Sequence, residues 1–348
     1  MLPFTPRLFH KLFQSSPFCH SLHRLRQFSI KPSQPSGPSL TSHRISSANA
    51  LSALQGPRLQ SEVLHLIEDE LRDATYYVDL TSEGGLLHAD PIIVEAITDS
   101  LKATFHALIS KGISSPTVPR FPIKGFDREF KAYGPLIDLL NIIVDSANRS
   151  IPRGQLHGLK FHHFENEVKD RHGGHRGLKP DGVGIIGDMR TKPAKGRDIS
   201  SPEVYWEGVE VFIECKISTG IREMVKQSGT YARRCLLSNR RRFFSLGIGF
   251  LHDKLEAYVF VFHRSGLSSS RPLKLTTKEG FNGLVRHIVG ILSFKEEADY
   301  GLNNTRYQDT FRINGRHFKI LDRLYAHDSL RGRATNVYRL QGVYTYGF

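Results

Sequence analysis

Two short polar clusters beside apolar runs in the middle of the chain constrain its fold more than any other feature. Lys179-Pro180-Asp181 precedes Gly182-Val183-Gly184-Ile185-Ile186-Gly187, which reads as a short buried strand. Val209-Glu210-Val211-Phe212-Ile213 leads into Glu214-Cys215-Lys216, a second strand rich in β-branched and aromatic residues. Alternation along a strand puts Glu214 and Lys216 on one face and Cys215 on the other. Pairing of the two strands would bring Asp181, Glu214 and Lys216 together on one edge of a sheet.

Those residue types suit phosphodiester chemistry. Two carboxylates can hold a Mg²⁺ ion through one oxygen each, leaving room for water and a substrate phosphate. The ion polarises the phosphate and acidifies a bound water. Lys216 would orient that water and offset charge developing on phosphorus. A third acid on a preceding segment often completes such a site. Phe161-His162-His163-Phe164 runs into Glu165-Asn166-Glu167, and Glu165 is preferred over Glu167 as the further metal ligand. A solvated acidic pair at a strand end is the competing reading.

Downstream, the segment from Ile221 to Arg234 has helical periodicity despite Gly229. Gln227 and Tyr231 are four residues apart and share a face. Taken together, Pro180-Asp181, Glu214-x-Lys216 and Gln227-x-x-x-Tyr231 resemble the PD-(D/E)xK nuclease superfamily, in particular its exonuclease-like branch. The resemblance implies an α/β fold, a mixed sheet flanked by helices like that of restriction endonucleases. It also implies metal binding at Asp181 and Glu214, assistance of water by Lys216, and nucleic-acid contacts from Gln227 and Tyr231. Such a sheet can also bind without cutting.

The C-terminal part carries a second likeness. The segment from Phe311 to Ile320 reads as a hairpin, and Gly332-Arg333-Ala334-Thr335 is similar to the start of a kinase phosphate-binding loop, with Ala334 where a glycine is usual. In order, the Pro-Asp hairpin, Glu-x-Lys, the Gln-Tyr helix, a strand pair, Asn303-Asn304-Thr305 and Gly332-Arg333-Ala334-Thr335 resemble the N-terminal half of the fungal-type protein kinase family. In that family a kinase domain follows such a loop. Before Phe348 there is no lysine strand, His-Arg-Asp loop or Asp-Phe-Gly, the parts that phosphoryl transfer requires. Kinase activity is therefore not expected of this chain, whose residues 301–348 read as the start of a truncated kinase-like N-lobe. Two functions follow as expectations. One is Mg²⁺-dependent binding or hydrolysis of nucleic acid; the other is a non-catalytic regulatory or interaction module.

Charge adds little to this choice. The chain of 348 residues has a net charge of +14, but its first 61 residues hold seven Lys or Arg and no acid. Half of the excess lies there, and the remaining body is only mildly basic. Residues 1–60 are rich in Ser, Pro, Arg and His, the composition of an organelle transit segment. Arg26-Gln27-Phe28-Ser29 looks like a matrix-protease cleavage context. Pro3, Pro6 and Pro17 interrupt any helix, so a plain disordered basic tail is the competing reading. The first reading sends the protein to mitochondria; the second leaves the nucleus or cytoplasm. Cys19, Cys215 and Cys235 supply neither a disulfide framework nor paired metal-ligand spacing, which fits a reducing intracellular compartment. No apolar run is long enough for a membrane span, so no membrane partner is expected.

From residue 61 the pattern is that of a folded protein. Helices are expected over 61–74, 91–110 and 133–147, giving a helical N-terminal part at 61–150. The nuclease-like core is expected over 151–300, with strands at 243–250 and 255–262 and a helix at 281–293. The kinase-like start occupies 301–348. Two further clusters carry weaker readings: Arg171-His172-Gly173-Gly174-His175-Arg176 is a flexible loop rather than a metal site. Arg240-Arg241-Arg242 is a solvated helix end, or less readily a phosphate clamp.

Overall fold

Along β6 (Val211–Lys216), Val211, Ile213 and Cys215 enter one apolar core while Phe212 enters a second, so the strand is covered on both faces. The same alternation runs through β7 (Phe244–Leu251) and β8 (Glu256–His263). Leu246, Ile248, Val259 and Val261 line the first core; Leu251, Phe260 and Phe262 line the second. A sheet apolar on both faces requires helices on both, and this determines the architecture. The computed structural model describes residues 60–109, 130–151, 158–164, 166–169, 178–187, 191–192, 201–218, 220–239, 242–294, 299–300, 310–313, 316–326, 330–331 and 336–343.

The sheet has eight strands. Besides β6, β7 and β8 it contains β1 (Thr75–Tyr77), β2 (Leu159–His163), β3 (Gly182–Ile186), β9 (Gly266–Ser269) and β10 (Leu273–Lys274), in the order β1-β9-β8-β7-β6-β3-β2, with β10 pairing β8. β6 runs parallel to β7 and β1 parallel to β9; the other pairs are antiparallel. Two short strands, β4 (Thr191–Lys192) and β5 (Ser201–Pro202), form a separate pair. The fold is thus a mixed α/β sheet flanked by helices, as the sequence predicts.

Helices α2 (Pro91–Ile109), α3 (Phe130–Ser150) and α5 (Lys278–Leu292) cover the first face. The α3 stripe predicted from Leu136, Leu139, Leu140 and Ile143 is buried there. Asn141, on the same helix, caps the sheet's edge: its side chain donates to the Phe161 carbonyl at 2.9 Å and accepts from the Phe161 N–H at 3.0 Å. This occupies backbone groups that an edge strand would otherwise present for pairing. Thr277 caps α5 by accepting from the Gly280 N–H at 3.1 Å.

The second face carries α1 (Gln60–Leu71) and α4 (Ile221–Ser238). Val63, Ile67 and Leu71, spaced by four, form the buried stripe of α1. Gly229 is explained by this crossing, because a Cβ there would collide with the Ile67 side chain. The helical part at 60–150 and the strands that follow share one sheet and both cores, since β1 pairs β9 and α1 packs on α4.

A three-stranded antiparallel sheet of β11 (Thr310–Ile313), β12 (Arg316–Ala326) and β13 (Asn336–Val343) follows. The hairpin predicted at 311–320 is its β11–β12 turn, with Ile313 opposite Arg316. Residues 1–59, 171–177, 301–309 and 332–335 lie outside the described residues. With them go the transit segment, the two-histidine loop, Asn303-Asn304-Thr305 and the Gly332 loop. No helix among the described residues is long and apolar enough to cross a membrane.

Candidate metal and nucleic-acid site

β3 and β6 pair antiparallel, with Gly182 opposite Ile213, so Asp181 at the start of β3 meets the end of β6. The Asp181 N–H donates to the Ile213 carbonyl at 3.1 Å. Its carboxylate Oδ2 accepts from the Cys215 N–H at 2.7 Å. The three predicted residues therefore come together, with one correction to their setting: both strands are interior to the sheet, and the cluster forms at neighbouring strand ends rather than along an edge.

Glu214 is fully buried and its Oε1 pairs with the Lys216 ammonium. Opposite Glu214 in the parallel pair stands Gly249, where a Cβ would lie 2.7 Å from both Met224 Sδ and Phe260 Cε2. Burial, reinforced by the charge of Asp181, pushes the Glu214 carboxyl up to about 8, against the pull of Lys216. Both Glu214 carboxyl oxygens are shut off from solvent, and the Tyr231 hydroxyl lies beside them.

α4 supplies the third element. Gln227 donates through Nε2 to the Tyr231 hydroxyl at 2.8 Å, confirming their shared face. The hydroxyl in turn donates to the Lys179 carbonyl at 3.0 Å. Tyr231 has no solvent exposure and stacks against Trp206 at a centroid distance of 5.9 Å, with Phe212 edge-on at 5.7 Å. Burial, followed by the charge of Glu214, raises its phenol well above the usual range. In this structure Tyr231 therefore braces the Lys179-Pro180-Asp181 segment from within, and its buried ring offers no surface to a polymer. Gln227 is half-buried.

Periodicity identifies neither the Lys179 carbonyl nor the Cys215 N–H as partners, because both are main-chain groups. Trp206, the chain's single tryptophan, completes this wall and has no role in the sequence reading. Glu68 of α1 was also unforeseen: it pairs with Arg222 and, at 3.2 Å, with Lys226 on the exposed side of α4.

Glu165 lies outside the described residues, and Glu167 is half-buried beyond β2. No group of three or more His, Cys, Asp or Glu is assembled for a metal among the described residues. The donor set among the described residues is the Asp181 and Glu214 pair. Its type fits Mg²⁺, which takes one or two carboxylates and keeps several waters, and both Glu214 oxygens are shut off from solvent.

Arg242 corrects the reading of the arginine run. It is neither solvated nor placed to hold a phosphate: Nη2 donates to Glu210 Oε2 at 3.0 Å, and both side chains are nearly or fully buried. Arg240 and Arg241 lie outside the described residues. Cys215 and Cys235 are free and buried.

Residues 188–343 match the family model described as fungal protein kinase. The match covers less than half of the chain and is a likeness to the fungal protein kinase family. It begins just after Asp181, takes in Glu214, Lys216, Gln227 and Tyr231, and ends with β13. The matched residues therefore include β6 and α4 but not β3 or Asp181, and they extend through the three-stranded sheet. No curated protein and no solved structure matches the chain.

Proposed function

We propose that Asp181, Glu214 and Lys216 form a nuclease-like site that binds a divalent cation, Mg²⁺ by preference, and binds or hydrolyses nucleic acid. The observation that carries this reading is the convergence of the Asp181 carboxylate and the Lys216 ammonium on the buried Glu214 side chain. A bound Mg²⁺ would polarise a phosphodiester and acidify a water. The protein's own contribution is positional. The Cys215 N–H holds Asp181, the Lys179 carbonyl is held by Tyr231, and Lys216 stands beside Glu214 where it can face a phosphate. Burial raises the Glu214 carboxyl, so a cation bound there would compete with a proton.

A second reading is favoured by the burial of Tyr231, which removes one of the two residues expected to touch nucleic acid. On that reading the same body is a regulatory or interaction module of a fungal protein kinase, without phosphotransfer of its own. Cleavage of single- and double-stranded DNA and RNA, with Mg²⁺ and with Mn²⁺, separates the two. Metal-dependent cleavage that disappears in Lys216→Ala supports the first reading. A folded protein that neither cleaves nor binds nucleic acid supports the second.

A further inference from the structure

The connection between β12 and β13 is tied to the helix-and-sheet body at Leu330 and Arg331. Leu330 has no solvent exposure and belongs to the second core, beside residues of α1 and α4. Its backbone is held at both ends. Glu70 Oε2, in the last turn of α1, accepts from the Leu330 N–H at 2.8 Å and from the Arg331 N–H at 3.1 Å. Arg264, in the β8–β9 turn, donates through Nη1 to the Leu330 carbonyl at 3.4 Å and through Nη2 to the Leu236 carbonyl, near the end of α4, at 3.3 Å.

This arrangement differs from a surface ion pair in what it recognises. Glu70 and Arg264 read main-chain groups of a segment some 260 residues further along the chain from α1, and the intervening Leu330 side chain is inserted in the core. Burial pushes the Glu70 carboxyl up, while the two N–H groups and the positive charges of Arg233 and Arg264 draw it back. A charged acceptor for two adjacent N–H groups makes strong, directional bonds. In the chain, Leu330 and Arg331 directly precede Gly332-Arg333-Ala334-Thr335.

We propose that Glu70 and Arg264 form a latch that docks the Leu330–Arg331 backbone and thereby couples the three-stranded sheet to the helix-and-sheet body. The latch sets the point from which the chain departs toward Gly332, so disengaging it frees β12 and β13 without unfolding the larger sheet. The latch is independent of what the Asp181 cluster does.

Hydrogen–deuterium exchange on the full 348-residue chain tests this. Glu70→Ala keeps the buried stripe of α1, and Ala is a good helix former. In that variant, peptides covering 316–343 are expected to exchange at least tenfold faster, with β6, β7 and β8 unchanged. Arg264→Met, which retains the apolar stem, should give the same pattern with smaller amplitude. Wild-type exchange of 316–343 in both variants would overturn the proposal. An equal rise across every strand would also overturn it, since the contact would then be a general stabiliser rather than a latch.

Discussion

The Asp181 carboxylate accepts a 2.7 Å hydrogen bond from the Cys215 N–H, joining the start of β3 to the end of β6. Because Cys215 lies between Glu214 and Lys216 in the chain, this bond holds Asp181 at the strand end that carries both residues of the proposed site. Its charge also helps to raise the Glu214 carboxyl. Asp181→Asn keeps an acceptor for Cys215 but removes that charge. The Glu214 carboxyl should then fall from about 8 toward its ordinary range. Carboxyl-carbon NMR titration reads this directly; an unchanged midpoint would refute the coupling.

Glu214 makes stability depend on pH. Its carboxyl titrates near 8 when folded and near 4.5 when unfolded, so the folded state holds a proton that the unfolded state has released. The resulting contribution is fully present below about 4.5 and is lost as pH rises to about 8. The loss is at most about 1.4 kcal/mol per pH unit. Glu214→Gln should flatten the wild-type slope across this window, as measured by denaturant unfolding at pH 5, 6, 7 and 8.

Tyr231→Phe removes the donor to the Lys179 carbonyl and leaves the ring packing intact. A stability loss of about 1 kcal/mol is expected. Divalent-cation affinity should fall alongside it, because the Lys179-Pro180-Asp181 segment loses its brace. A loss of stability with unchanged cation affinity would leave Tyr231 a packing residue only.

Arg242→Ala strips the buried Glu210 carboxylate of its guanidinium partner. Breaking such a pair costs about 3–5 kcal/mol, mainly because the remaining charge is left uncompensated. Glu210→Gln introduced together with Arg242→Met should recover much of that loss, as measured by chemical denaturation.

Substituting Gly249 tests the packing behind the site. A Cβ there would stand 2.7 Å from Met224 Sδ and from Phe260 Cε2. Gly249→Ala should therefore cost about 1–3 kcal/mol by overpacking. Restoring space with Met224→Ala in the same chain should offset part of the cost, and a purely additive double variant would count against direct contact.

Sequence periodicity revealed the parts of this fold that repeat. The two-residue period put Glu214 and Lys216 on one face, and the 3.6-residue period put Gln227 above Tyr231; both relations hold in the structure. Leu136, Leu139, Leu140 and Ile143 were readable as a core stripe for the same reason. Depth was not readable. A helical face looks the same in sequence whether it meets solvent or, as with Tyr231, a tryptophan and a phenylalanine. Short strands escaped as well, since Thr75-Tyr76-Tyr77 has too few residues to show alternation and becomes a strand only by pairing with β9. Arg242 misled because its partner Glu210 lies 32 residues away and arrives only through the sheet.

The central claim, that Asp181 and Glu214 together hold a divalent cation, is tested most directly by titrating Mg²⁺ and Mn²⁺ into the protein at pH 7 by calorimetry, in buffers of different ionisation heat. With the Glu214 carboxyl near 8 before binding, the account predicts one bound cation and release of close to one proton. Both should be lost in Glu214→Gln, and affinity should be weakened at least tenfold in Asp181→Asn. A folded protein that takes up no cation, or that binds one equally well in both variants, would contradict it.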